Sequence, residues 1–495
     1  MKRLLILSAA ILSFLNLNAH TRNFIKYVNP FVGTDYTGHT FPGATAPFGM
    51  MQLSPDTRLT GWEGCSGYHY SDSHIYGFSH THLSGTGVPD LCDILLMPVD
   101  GYSFEIINNE EYKSQFSHEK ETASPGYYGV FLDKWNVHAE LTAGKRAGMH
   151  RYTFKTEAEP QVILDLLHRD EVLGSEIKIV NNNTVTGFRR SKSWANDQHV
   201  YFYMEFSSPI TSYRLYKDES PVTDSIINGN NCKAIFDFGE LSEKPLLVKI
   251  GISSVSEENA KMNLYAEIPA WNFKLLQKTT EKSWNDYLSK IEVKSNNDEH
   301  LRTFYTALYH TAIHPNLYSD VNGEYRGMDG KVYKTVNHDR YTIFSLWDTY
   351  RALHPLYTII ERERTVDFIR SFLNIYCEGG KLPIWELWAN ETDCMIGYHS
   401  IPVIADALIK GIDGFNAEFA LEAMINSSNR PEYGADQFKK YGYVPAEKEH
   451  ESVSKTLEYA YDDWCIAQVA SYLERYDVYN EYIRRAQYYK NIYKP

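Results

Sequence analysis

"PAWNFKLLQKTTEKSWNDYLSKI", residues 269–291, is where the chain changes its period. With no glycine and no proline after its first residue, it reads as a long helix. Before it the period is two. "NVHAELTA" (136–143) sets Val137, Ala139 and Leu141 against polar neighbours. "QVILDLLH" (161–168), "HVYFYMEF" (199–206) and "PLLVKIGI" (245–252) are short apolar runs rich in β-branched and aromatic residues. Turn-forming clusters such as "NNNTVTG" (181–187) and "INGNN" (227–231) separate them. That is the pattern of an antiparallel β-sandwich. After the stretch the period is helical. "SNNDEHLRTFYTALYHTAIHP" (295–315) opens with cap residues Ser295 to Asp298. It carries an apolar stripe at Leu301, Phe304, Leu308 and Ala312, and stops at Pro315. Further helices are expected near 345–361, 364–377, 398–412, 415–426, 452–476 and 478–493. The helix from 452 places Val453, Leu457, Ala460, Trp464 and Ala467 on one face.

The order is therefore β then α. A sandwich is expected over 20–262, a helical linker over 263–294, and a helical domain over 295–495. Seven or so helices make about half of a closed double ring of twelve.

The first residues, "MKRLLILSAAILSFLNLNAH", have the layout of a secretory leader over 1–19. Lys2 and Arg3 form a basic head, and Leu4 to Leu15 an apolar run too short to span a bilayer. No later segment is long and apolar enough to span a membrane, so a periplasmic or secreted protein is expected. Net charge is −14, which argues against a nucleic-acid partner. The six cysteines form no C-x-x-C pair, and buried free thiols are the simpler reading.

Four stretches carry candidate chemistry. In "CEGGKLPIWELWANETDCMIGYHS" (377–400), Glu391 lies between tryptophans and a helix expected to begin near Met395. Burial among indoles raises a carboxyl pKa, as a general acid requires. Helix capping by Asn390, Thr392 and Asp393 is the plainer alternative. In "SLWDTYRALHPLYT" (345–358), Asp348 and Arg351 lie three apart on one expected helical face. They form either an intrahelical ion pair or a carboxylate held ready for sugar hydroxyls. "GWEGCSGYHYSDSHIYGFSHTHLSGTGVPD" (61–90) crowds His69, His74, His80 and His82 into fourteen positions. No compact zinc spacing matches, so this loop, with Trp62 and Tyr68, reads as a polar binding surface. In "EKEHESVSKTLEYAYDDWCIAQ" (447–468), His450 and Glu451 precede a helix that Ser452 would cap. Asp462 and Asp463 would then favour the helix N-terminal end or solvent. No Walker loop, G-x-G-x-x-G, G-x-S-x-G or H-E-x-x-H occurs.

Taken together, "YVNPFVGTD", "FPGATAPFGMMQLSPDTR", "GYHYSDSHIYGFSHTHLSGTG", "FSLWDTYRALHPLYT", "GGKLPIWELWANETDCMIGYHS" and "SVSKTLEYAYDDWCIA" resemble glycoside hydrolase family 92. The resemblance implies a β-sandwich followed by an (α/α)6 barrel. It implies calcium-assisted, inverting hydrolysis of terminal α-mannosides on mannan or N-glycan. It makes Glu391 the general acid and puts Trp62, His450 and Glu451 on the leaving-group side. The His-Glu pair goes with α-1,2 linkages, and Asp348 and Arg351 with the non-reducing-end pocket. The calcium ligands stay unassigned. The family's base lies in an aspartate-rich "GDEDNGQMSAW"-like stretch, which residues 1–495 do not contain. The expectation is a barrel present only in part, a base beyond residue 495, and a polypeptide that folds poorly and is nearly inactive by itself. Two rival readings are a non-catalytic glycan-binding remnant and a glycoside phosphorylase of the same layout.

Overall fold

The computed structural model describes residues 22–103, 107–155, 157–241 and 244–493. The expected leader over 1–19 lies outside them. Two antiparallel sheets face each other. The first runs, edge to edge, through Ala44–Thr45, Gln52–Asp56, Gly77–Ser79, Leu95–Asp100, Pro160–Asp165, Cys232–Phe238, Ile210–Lys217 and Ser220–Val222. The second runs through Ile226–Gly229, Glu171–Asn181, Thr184–Lys192, Gln198–Phe206, Leu246–Ser253, Ala147–Thr153, Val137–Ala143, Tyr127–Leu132 and Glu121–Ser124. Alternation drives the layering. In Gln198–Phe206 every second residue, from Gln198 through Val200, Phe202 and Met204 to Phe206, is buried.

The helices are α1 (Asn109–Tyr112, in the sandwich), α2 (Glu257–Glu267), α3 (Phe273–Leu288), α4 (Asp298–His310), α5 (Leu346–Thr349), α6 (Leu353–Ile360), α7 (Arg362–Gly379), α8 (Ser400–Ile409), α9 (Ala417–Ser428), α10 (Ala435–Tyr441), α11 (Ser452–Tyr472) and α12 (Tyr476–Arg485). The Asn272 side chain caps α3 by accepting from the Leu275 N–H. Trp284 of α3 is fully buried, and its Nε1 donates to the Thr45 carbonyl at 2.6 Å. That bond clamps the linker to the sandwich. In the helical part, α8 packs against α6, α7, α9 and α11, and α12 against α11.

The two parts also exchange pieces. Phe48, from the sandwich sequence, donates its N–H to the Ala312 carbonyl and accepts from the Leu317 N–H. It sits in the helical core with Phe368 and Tyr357. In return Trp385, Leu387 and Trp388 are buried in the sandwich core.

Three features differ from the sequence reading. The helix expected over 345–361 breaks between α5 and α6, at Tyr350–Ala352. The stripe on α11 is not one buried face: Ala460 and Ala467 are buried, whereas Val453 and Trp464 are 59% and 43% exposed. Its partners among the described helices pack on the alanine side. Helices α2 and α10 are absent from the sequence reading; the last sandwich strand ends at Ser253 and α2 begins at Glu257, inside the stretch expected as sandwich over 20–262. All six cysteines are free; Cys65, Cys92, Cys232 and Cys465 are buried, but Cys377 is exposed.

Candidate active site

Glu391 is not at a helix N-terminus. It ends a tight hairpin, Trp385–Leu387 paired with Asn390–Glu391, with Glu386 opposite Glu391. The next helix, α8, begins at Ser400, so Asn390, Thr392 and Asp393 cap nothing. The turn residues Trp388 and Ala389 both have left-handed backbones, at φ 51° and 60°. Neighbouring Ile343, Asp393 and Met395 are left-handed as well. Each such residue costs on the order of 1–3 kcal/mol, which the surroundings must offset.

The surroundings do so through Glu386. This fully buried carboxylate accepts the Ala389 N–H at 2.7 Å, the Ile343 N–H at 3.0 Å and the Thr342 hydroxyl at 2.9 Å. The sandwich holds the other side. Asn390 Oδ1 accepts the Asp197 N–H at 3.0 Å, its Nδ2 donates to the Asp197 carbonyl, and Trp388 Nε1 donates to the His199 carbonyl at 2.9 Å.

Burial pushes the Glu386 carboxyl up to about 7, against the opposing pull of Arg340. A group raised on folding stabilises the fold below its unfolded value near 4.5 and loses that share as pH rises through 7. Between about pH 5 and about pH 8 the wild type is expected to lose more stability than Glu386→Gln, by about 3 kcal/mol at most. Melting curves of both proteins across that range check this.

Glu391 itself is half-buried. Its Oε1 accepts the N–H groups of Trp385 at 2.9 Å and Asp393 at 3.0 Å, and its Oε2 that of Ile384 at 2.9 Å. These donors favour the anion. Burial opposes them and wins, leaving the carboxyl above its ordinary value. Oε2, with one donor, keeps a lone pair on which a proton can sit.

Ile384 and Asp393, which hold Glu391, line a cavity of about 960 Å³. Trp347, His450 and Glu451 line the same cavity. Glu451 caps α11 by position rather than by side chain, with φ 52°. The expected Ser452 cap does not form. Asp348 and Arg351 are exposed and are not paired with each other. Arg351 donates instead to Glu458 at 2.8 Å and stacks over Trp347 at 5.2 Å. Asp348 and Glu391 both act on the Cys394 thiol, which burial first raises. Trp62 stands apart: it is 55% exposed, edge-on to His39, and does not line this cavity.

Sequence reasoning missed Glu458. It accepts from Trp347, Tyr350 and Arg351, and its Oε2 lies 3.3 Å from His399 Nε2. Asp462 and Asp463 are fully buried rather than solvated. Asp462 accepts from the Tyr398 N–H and His399 Nδ1, and Asp463 takes Arg485 and the Tyr398 hydroxyl. Their partners lie too far off in sequence to show. The histidine loop is likewise no open surface: His80 and His82 are fully buried.

Comparisons with known proteins show the family. The Glycosyl hydrolase family 92 N-terminal domain matches residues 27–253, and the Glycosyl hydrolase family 92 catalytic domain matches residues 259–495. The chain belongs to glycoside hydrolase family 92. It is 40% identical to the α-mannosidase BT3965 of Bacteroides thetaiotaomicron, which has also been captured with mannoimidazole. The match covers 96% of this chain and 66% of that one, with a TM-score of 0.92. The inverting mannosidase BT2199 of the same organism is 32% identical, over 96% of this chain and 65% of that one, with a TM-score of 0.87. An uncharacterized secreted glycosidase of Arthroderma benhamiae is 25% identical over 95% of this chain and 62% of its own length. The family 92 chain thus spans a little under two thirds of these relatives. No helix among its described residues is long and apolar enough to cross a membrane.

The resemblance implies calcium. Along the cavity, Asp393 is tied to Lys381 and Glu449 to Lys455. The cluster of three ligating side chains found among the described residues lies in the sandwich. The residues lining the cavity do not make a calcium cage.

Proposed function

We propose that this chain carries the acid-bearing part of an exported, inverting exo-α-mannosidase that removes terminal α-1,2-linked mannose from mannan or N-glycan. Glu391 protonates the departing glycosidic oxygen. His450 and Glu451 contact the sugar on the leaving side, and Trp62 reaches it only on a substrate that extends beyond the cavity. Arg351, oriented by Glu458 and Trp347, and Asp348 face the terminal mannose. Calcium belongs to the proposal as an ion met with the sugar. The observation that supports this reading best is Glu391 itself. It is a carboxyl raised by burial, on a strained hairpin pinned to the sandwich, and it is held by Ile384 and Asp393, which line a cavity together with His450 and Glu451.

Inversion needs a second carboxylate roughly 6.5–9.5 Å from the acid, with a water between. The aspartate-rich stretch that the resemblance assigns to this task is not in residues 1–495. The 495-residue polypeptide, assayed by itself with calcium on an aryl α-mannoside and α-1,2-mannobiose, is expected to bind mannose and turn it over negligibly. Robust turnover that disappears in Glu391→Gln would place a base within this chain and overturn the second half of the proposal. Turnover that requires phosphate would mark a phosphorylase.

A further inference from the structure

A buried cluster in the sandwich has no part in the proposed reaction. Asp56 ends the strand Gln52–Asp56, His82 follows the strand Gly77–Ser79, and Cys92 lies in the loop before Leu95–Asp100. All three are fully buried, and one ligating atom from each lies within 4.8 Å of the other two. His82 Nδ1 is 2.9 Å from the Gln52 carbonyl oxygen. A carbonyl only accepts, so Nδ1 carries the hydrogen, and the neutral ring presents a lone pair at Nε2. That nitrogen lies 3.0 Å from Asp56 Oδ1. Two acceptors at that distance require a positive species between them, either a proton on Nε2 or a metal ion.

Cys92 favours the metal. Its Sγ is fully buried and has no hydrogen-bond partner among the described residues. A proton on His82 makes no use of this sulfur. A borderline-soft cation does, because it displaces the thiol proton and takes the thiolate as a ligand. The backbone opens the space. A Cβ on Gly67 would come within 2.2 Å of Asp56 Oδ1 and 3.0 Å of Cys92 Sγ.

The outer layer has the form that metal sites use. The Gln52 carbonyl fixes the His82 tautomer, and His168 Nε2 lies 2.8 Å from the second oxygen of Asp56. Arg189 in turn holds the His168 carbonyl at 2.8 Å. Ser79 Oγ, 3.0 Å from His82 Nε2, is placed to complete the donor set.

We propose that Asp56, His82 and Cys92 bind a divalent transition ion of the zinc class inside the sandwich. One oxygen, one nitrogen and one sulfur donor suit zinc, whereas calcium takes oxygen alone. The ion would join three segments of the eight-stranded sheet and its loops. Its binding releases the Cys92 thiol proton to solvent.

The test is metal content. The full chain is produced in zinc-supplemented medium, dialysed, and its metals measured by mass spectrometry; a parallel sample is refilled with cobalt(II). One zinc per chain is expected, together with a thiolate-to-cobalt charge-transfer band that Cys92→Ser removes and Cys465→Ser leaves. A wild-type chain with no transition ion and no such band overturns the proposal and leaves a proton between His82 and Asp56. A band that survives in Cys92→Ser also overturns it. The wild-type result decides even if the variant does not fold.

Discussion

Glu391→Gln is expected to lower turnover of α-1,2-mannobiose by about 10²–10⁴-fold, the usual contribution of a positioned general acid. The protein to measure is a chimera that joins residues 22–495 to the part of the 40%-identical Bacteroides mannosidase that this chain does not span. Glutamine keeps the shape and still accepts two of the backbone N–H groups through its carbonyl. It cannot donate an acidic proton. Its amide then faces the Ile384 N–H, and that mismatch of two donors costs about 1–3 kcal/mol locally. A melting curve close to that of the parent chimera separates this local cost from the loss of rate. The pH profile carries a second signature. An acid must be protonated, so its activity falls as pH rises through its pKa. Burial raises that pKa in Glu391, so the alkaline limb is expected above the ordinary carboxyl range, and it is expected to vanish in Glu391→Gln.

Arg189→Met is expected to destabilise the sandwich by about 3–5 kcal/mol, the range for removing one partner from a buried ion pair. Arg189 is fully buried. It donates to Asp93 Oδ1 at 2.6 Å, to the Leu166 carbonyl at 3.0 Å, to the His168 carbonyl at 2.8 Å and to Asp170. Methionine fills most of the volume but leaves two carboxylates and the carbonyls of Leu166, His168 and Asp170 without their donor. Asp93 already accepts from the Thr81 hydroxyl at 2.7 Å and from Gln198. These bonds limit the damage without neutralising the charge. Urea melts of both proteins measure the loss. A change under about 1 kcal/mol at neutral pH would mean that water replaces the guanidinium.

Much of the architecture was legible because periodicity is a local signal. The β-branched and aromatic run at 199–206 is a strand, Gln198–Phe206, and α4 carries its cap at Asn297, within the expected cap residues Ser295 to Asp298. The order of strands was not legible. Leu95–Asp100 pairs with Pro160–Asp165 across sixty residues, and no local pattern encodes that choice.

Glu391, His450 and Glu451 stand out in the sequence as candidates, and His450 and Glu451 line one cavity with Ile384 and Asp393, which hold Glu391. The hairpin that carries Glu391 is hidden in the sequence, because its turn uses Trp388 and Ala389 where Asn-Gly would announce it. Glu386, two positions from a tryptophan turn, has the role of strain absorber only because Thr342 and Ile343 arrive from another segment. The same limit hid Asp56, His82 and Cys92. Their spacing of 26 and 10 residues matches no short motif, and the sheet brings them together.

The central claim is that Glu391 hands a proton to the leaving oxygen, and leaving-group dependence tests it most directly. In the chimera, Glu391→Gln should lose its full factor on α-1,2-mannobiose and lose little on 2,4-dinitrophenyl α-mannoside, whose phenolate departs without help. An equal loss on both substrates, or no loss on the disaccharide, would contradict the account.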